Sequence, residues 1–439
     1  MTSPQPSAYV DGTRASVVTL SRGRRAAGFS LSVCLRLGLL WGFACLLGTL
    51  GASPAAAQDT RREALEQRRA ERARQLVPYK PGKIESALLY LERERLLQRW
   101  VGGLDGWYPF AGSIIRGGGL AGGAGYRQHG WNNRLRFDTS AAISLKNYRA
   151  ADVELALPYL ADDRFEVSAR FRYRFLPQED YHGIGPDSLN GNRVSYLRED
   201  KEIGTRFAYR PVSWLETGAE LAWLGLDVGS GRDSRFPSVE DVFTEIDAPG
   251  LSSQPSFVRS GVWASVDYRD QPGNARSGGF YTVAWRDYSD RDSGRYSFGR
   301  LDAEARQYFP IWDKKRVIAV RARFNYANNE PGGVVPFYFL PTLGGSDSIR
   351  GYRNFRFHDE NALVLNAEYR WEAFSGMDMA LFFDAGEVRA NWQDIDLRDL
   401  NTSYGLGFRF NTYKHVFLRL DLGFGGEGMR YFVAFGPNF

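Results

Sequence analysis

Arg350 stands in the stretch GGSDSIRGYRNFRFHDENALVLNAEYRW, which begins at Gly344, and the question is what its guanidinium holds. Two acidic residues downstream fall on strand-like segments. Glu368 shares the parity of Asn366 and Arg370, opposite Leu363, Leu365, Ala367, Tyr369 and Trp371, so it points to the polar side. Asp384 points the same way if Leu381, Phe383 and Ala385 occupy the apolar face. Two carboxylates on neighbouring strands at a poorly solvated wall repel unless a cation lies between them. A guanidinium suits that place, because its planar fork engages carboxylates bidentately and it stays charged. Gly344, Gly345 and Gly351 let the backbone turn back tightly. Arg350 is therefore expected to pin its loop against the inside of a closed sheet. The alternative is an exposed loop arginine with no partner.

Other chemistry finds little support. His129, His182, His358 and His415 are scattered without a recognisable Ser, Asp or Asn partner pattern, and no phosphate-cradling loop or dinucleotide fingerprint is present. No catalytic residue, metal site or cofactor is expected. Both cysteines, Cys34 and Cys45, lie near the N-terminus, in a region that reads as a secretory leader: Arg22, Arg24 and Arg25, an apolar run from Leu37 to Leu50, then ASPAAAQDT. Cleavage is expected after Ala57. A retained signal anchor is the weaker reading, since the apolar run is short for a spanning helix. Without residues 1–57 the chain keeps 51 of its 56 Lys and Arg and 50 of its 51 Asp and Glu, a net charge of +1. The basic balance thus belongs to the leader and gives no reason to expect nucleic-acid binding.

The elements that carry Arg350 and its partners follow a period of two from about Gly106 to the C-terminus. In RFEVSARFRYRF, Phe165, Val167, Ala169, Phe171, Tyr173 and Phe175 oppose Glu166, Ser168, Arg170, Arg172 and Arg174. YGLGFRFN and VFLRLDLGF repeat the scheme, with Arg409, Arg419 and Asp421 on the polar side. A soluble sandwich also alternates. Strands long enough to cross a bilayer at a tilt, aromatics along the apolar face and charges on the polar face in strand after strand favour a membrane barrel with a hydrated lumen. The expected fold is all-β: a 16-stranded antiparallel transmembrane β-barrel over 106–439, with a short helical segment over 58–105. Ten strands are readable before the Arg350 loop and five after it. One more near the Gly-rich start gives the even count and puts the long loops, about 178–192, 229–256 and 329–361, on one side. Within 58–105, KIESALLYLERERLLQRW forms an amphipathic helix over about 83–101 that packs on the barrel or binds a periplasmic partner.

SIRGY in a long loop, followed by NAEYRW and ALFFDAGEV, resembles the BamA/TamA-type outer-membrane assembly superfamily, the bacterial surface antigen barrels. The resemblance implies that Ile349, Arg350, Gly351 and Tyr352 form the tip of a loop folded into the lumen. It makes Asp384, with Gly386 after it, and Glu368 the wall partners. It further implies a lateral seam between the first and last strands, with Gly117, Gly118, Gly119, Gly122 and Gly123 on one side and Phe435, Gly436 and Pro437 on the other; the alternative for the glycines is close packing under the incoming loop. Tyr431, Val433, Phe435 and Phe439 resemble the terminal-strand signal by which such barrels are recognised by the barrel assembly machinery. Segment 58–105 has room for no POTRA domain, so this looks like a short member. The expected function is assistance to outer-membrane protein assembly, insertion or translocation at the seam, with no enzymatic activity. Its expected partners are outer-membrane lipopolysaccharide and phospholipid, and unfolded client proteins. The alternatives are a passive pore or a structural surface antigen.

Overall fold

The computed structural model describes residues 105–329, 332–412, 415–437 and 439. The expected leader (1–57) and the amphipathic helix (83–101) lie outside the described residues. Sixteen antiparallel strands make one sheet, joined neighbour to neighbour in chain order. They are β1 (Gly106–Gly112), β2 (Ala121–Gly130), β3 (Leu135–Ser144), β4 (Arg149–Leu160), β5 (Phe165–Tyr181), β6 (Val194–Val212), β7 (Leu215–Ser230) and β8 (Phe257–Asp267). Then come β9 (Gly278–Asp290), β10 (Phe298–Ile311), β11 (Arg316–Asn329), β14 (Asn361–Phe374), β15 (Met377–Arg389), β16 (Asn401–Asn411), β17 (Val416–Gly425) and β18 (Gly428–Ala434). Two short strands in the β11–β14 loop, β12 (Thr342–Leu343) and β13 (Phe357–His358), pair only with each other, while β11 pairs directly with β14.

Of the sixteen strands of the sheet, eleven precede Arg350 and five follow it. The eleventh is β1, Gly106–Gly112, which lies ahead of the glycine-rich stretch expected to be the first strand. Gly117, Gly118 and Gly119 instead form the connection from β1 to β2, where Gly117 and Gly119 hold φ of +80° and +78°, the left-handed region glycine enters without penalty. Gly122 and Gly123 lie on β2, paired with β1 and β3, so they are one strand in from the edge.

The period of two sorts the side chains as the sequence implies. Ile203, Phe207, Leu221, Val262, Leu381, Phe383 and Tyr404 stand exposed on the outer face, an apolar surface suited to lipid. The inner face carries ion pairs from strand to strand: Arg136–Glu154 at 2.6 Å, Arg259–Glu202 at 2.8 Å and Arg286–Glu220 at 2.8 Å. Strands β5, β6 and β7 have 17, 19 and 16 residues. About 9–11 span a bilayer, so these three rise well beyond it. Three tight turns at the opposite end, Trp131–Asn133, Ala161–Asp163 and Trp312–Lys314, each run three successive residues at φ between 48° and 68°.

At the long-loop end the β11–β14 loop packs against the strands. Phe337, Tyr338, Phe339 and Leu340 of the β11–β14 loop join Tyr181, Tyr196, Leu224, Leu226, Phe257, Tyr288 and Phe298 in one buried cluster. The short helix α1 (Val239–Val242) adds Val239 to it, and its N-terminus carries a capping box between Ser238 and Asp241.

Candidate functional site: a pinned loop and an unpaired seam

Gly344 and Gly345, at φ +109° and +91°, reverse the β11–β14 loop and send its tip into the lumen. Gly351 has no positive φ. Its role is close approach: a Cβ there would lie 2.6 Å from the Cα of Gly425 and 2.7 Å from the Cβ of Ser403. The loop backbone therefore rests directly on the β16–β17 wall. Gly423 completes the seat, since a Cβ on it would meet the Arg350 carbonyl oxygen at 2.3 Å. Gly386 opens room on β15, where a Cβ would approach Leu343 at 3.3 Å and Ile349 at 3.6 Å. Ile349 and Tyr352 then pack with Leu343, Phe357, Ala362, Val364 and Val388 in a second buried cluster.

The structure brings Arg350, Asp384 and Glu368 together, and each side chain is fully buried. Arg350 donates from Nε to Asp384 Oδ2 at 2.8 Å and from Nη2 to Oδ1 at 2.6 Å, and its backbone N–H reaches Oδ2 at 3.1 Å. Its Nη1 donates to Glu368 Oε1. The guanidinium carbon lies 3.5 Å from the Phe382 ring centroid, a cation–π contact between two buried side chains.

The ion cluster is larger than the three residues the sequence singled out. Glu368 also accepts from Arg370 Nε at 2.7 Å and from Arg409 Nη2 at 3.0 Å. Asp421 accepts from Arg409 Nη1 at 2.6 Å and lies 3.0 Å from Arg419 Nε. Asn366 Nδ2 donates to Asp384 Oδ1 at 2.8 Å and to the Ser348 carbonyl at 2.7 Å. Arg350 of the loop thus interlocks with three arginines and three carboxylates on β14 through β17. Burial of ions is tolerated here because every carboxylate meets at least one guanidinium at hydrogen-bond distance. Sequence reading put Arg370, Arg409, Arg419 and Asp421 on the polar face without joining them to the site. Their shared parity was the available signal, but strand register was needed to place them side by side.

A second segment holds the returning loop from outside. YHGIG at Tyr181, to which the sequence assigned no chemistry, meets the β13 strand: the Gly185 N–H donates to the His358 carbonyl at 2.8 Å, and the Tyr181 and His358 rings lie 5.0 Å apart. Arg356 donates to Ser188 Oγ at 2.9 Å and to Glu427 Oε1 at 2.5 Å. His182 and His358 are both buried, and neither ring nitrogen of His182 meets hydrogen-bond geometry with a partner among the described residues. Desolvation, with like charge from Arg356, holds both imidazoles down to about 3, so they are neutral.

The seam presents a different chemistry. β1 pairs with β2 and β18 with β17, and no register joins β1 to β18 among the described residues. Each of these edge strands has 7 residues. Pro109 sits inside β1 and Pro437 follows β18, so each side lacks a backbone donor. Tyr431, Val433 and Phe435 are exposed on the outer face, in line with the alternation. Phe439 departs from it. The chain turns at Gly436, φ +83°, and Phe439 is buried at 2% exposure against Tyr308, Val317 and Ala319, with its oxygen 3.3 Å from Arg370 Nη2.

These features define an outer-membrane-type barrel: sixteen strands, a loop pinned in the lumen and a first-to-last seam without paired register among the described residues. The Omp85 superfamily domain matches residues 129–427, and the chain belongs to that superfamily. Among solved structures, BamA from Haemophilus ducreyi lacking POTRA domains 1–3 is similar, with a TM-score of 0.55 at 13% identity over 75% of this chain and 69% of that one. CdiB from Escherichia coli gives 0.50 at 13% identity, over 75% of this chain and 62% of that one, less than two thirds of its length. At these identities the likeness is one of fold.

Proposed function

We propose that this protein is a non-enzymatic outer-membrane barrel that assists the assembly, insertion or translocation of other polypeptides at the edge between β1 and β18. The single observation that carries this reading is the edge itself. Two 7-residue strands face each other with no hydrogen-bonded register among the described residues. Unpaired N–H and C=O groups at membrane depth are costly, and an incoming strand is the ready way to satisfy them. The pinned loop supports the reading by tying β14, β15 and β17 together through Arg350, while β18 beyond them pairs on one side alone among the described residues.

A passive pore is the competing function, and the packing at the long-loop end argues against it. The aromatic cluster around Phe337 and Phe339 packs the β11–β14 loop against residues of β5 through β10 at the end by which a solute would have to leave. The experiment is a disulfide lock, made by placing cysteine pairs across β1 and β18 in the otherwise thiol-free barrel. A lock that abolishes client assembly and leaves conductance unchanged supports the proposal. A lock that leaves client assembly intact refutes it, and a large open conductance in the unlocked protein favours the pore.

A further inference from the structure

A cavity of about 400 Å3 opens at the long-loop end, beside the seam. That volume falls within the roughly 300–1,000 Å3 of small-ligand sites. Its wall joins the two ends of the sheet: Arg430 comes from the last strand, Arg116 from the connection after the first, and Arg353 from the pinned loop. Lys146, Arg193 and Arg235 complete six cations, against three carboxylates, Glu179, Asp180 and Asp233.

Two of those acids are already used. Asp180 accepts from Arg193 Nη2 at 2.9 Å, and Asp233 accepts from Arg235 Nη2 at 2.6 Å. Arg116 pairs with Asp347 at 3.1 Å, and Lys146 donates to the Gly117 carbonyl at 2.7 Å. Arg353 and Arg430 make no side-chain hydrogen bond or ion pair among the described residues, and the Nε of Arg430 and the Nε of Arg193 are buried without partners. Desolvation, then repulsion from Arg430 and Arg193, pushes the Arg353 guanidinium below its ordinary value. Asp180 and Glu427 offset less. Buried donors without acceptors and unpaired like charges are costly, and one multivalent anion satisfies both.

The surroundings indicate where that anion comes from. Met429 and Tyr431 on the outer face of β18 are 57% and 79% exposed, and Leu120 and Leu145, on the connections flanking this end, are 54% and 85% exposed. Apolar side chains of that size beside a cationic cavity suit an acyl chain next to its headgroup, and planar guanidinium forks fit phosphate oxygens. We propose that this cavity binds the phosphate of a lipid headgroup in the outward-facing leaflet, with Arg430 and Arg353 as its principal ligands and Arg116 within the same wall. The bound phosphate bridges the last strand and the first connection, two parts of the sheet that share no hydrogen-bonded register among the described residues. The site stands whether or not the seam admits clients.

The test is native mass spectrometry of the folded, detergent-solubilised protein titrated separately with bis-phosphorylated lipid A, fully dephosphorylated lipid A and inorganic phosphate. The phosphorylated lipid is expected to bind at least about tenfold more tightly than the dephosphorylated one, as the loss of charge-assisted hydrogen bonds implies. Arg353→Gln/Arg430→Gln is expected to remove that preference, and Arg430→Lys to keep most of it. Equal binding of the two lipids, a comparison that needs no variant, overturns the proposal. So does an unchanged preference in the double variant. Displacement of lipid A by an equal concentration of inorganic phosphate overturns the lipid assignment and leaves a free-anion site.

Discussion

Replacing Arg350 with alanine tests the pinned loop most directly. The side chain is fully buried, engages Asp384 through two nitrogens and Glu368 through a third, and lies on Phe382. Removing one partner from a buried ion pair costs about 3–5 kcal/mol, chiefly because the remaining charge is left uncompensated. The geometry says which charge that is. Glu368 keeps Arg370 at 2.7 Å and Arg409 at 3.0 Å, and Asp421 keeps Arg409 and Arg419. Asp384 keeps only neutral donors, Asn366 at 2.8 Å and Ser403 at 3.3 Å, together with the residue-350 amide if the loop stays seated. Asp384→Asn in the Arg350→Ala background is therefore expected to recover about 1–3 kcal/mol, the desolvation cost of the orphaned group. Glu368→Gln in the same background is expected to recover nothing and to lose more, because it strands Arg370. The assays are heat-dependent mobility on a semi-native gel and the urea midpoint of the folded barrel. An unchanged midpoint in the single variant refutes the reasoning, as does equal rescue by both second substitutions.

Gly423→Ala places a methyl 2.3 Å from the Arg350 carbonyl and is expected to unseat the loop tip, costing about 1–3 kcal/mol and exposing Arg353 to trypsin in the folded barrel. The latch around His182 and His358 should weaken with acid. Their folded values, about 3, lie below the ordinary 6.5, so they stabilise the latch fully above pH 6.5 and lose that contribution as pH falls toward 3. Burial pushes the neighbouring Asp359 up to about 6, and this opposes them only below that pH. Two imidazoles outweigh one carboxyl, so amide protection factors over 181–185 and 356–359, taken relative to the intrinsic exchange rate at each pH, should fall between pH 7 and 5, and His182→Phe should flatten the fall. Ala161→Gly relieves a left-handed alanine at φ 50° and is expected to raise stability by about 1 kcal/mol, read from the same urea midpoint.

Much of this was legible in the sequence because alternation carries most of a barrel's information. Parity alone put Glu368, Asp384, Arg409 and Asp421 on the inner face, and the even strand count implied a strand that had not been read. That strand, GWYPFAG, has only seven residues and an internal proline, so its pattern is too short to stand out. The glycines after it looked like a weak strand because composition does not distinguish a turn that needs positive φ from a strand that tolerates glycine. Register was the other hidden quantity. Arg409 and Asp421 lie on neighbouring strands twelve positions apart, and no spacing rule ties them to an arginine some sixty residues upstream. Gly423 and Gly425 read as ordinary strand glycines until the loop backbone is seen lying on them. The inward turn of Phe439 had no sequence signal beyond Pro437.

The partners of the Arg350 tip are consecutive in the chain, from Glu368 on β14 to Asp421 on β17. Three residues before Arg350 the same tip turns the other way: Asp347 meets Arg323 of β11 at 2.9 Å and Arg116, on the connection after β1, at 3.1 Å. One short segment is therefore fastened both to the last strands and to the start of the sheet. It acts as a clasp, whose final contacts can form only when the N-terminal end of the sheet has been brought beside the C-terminal one.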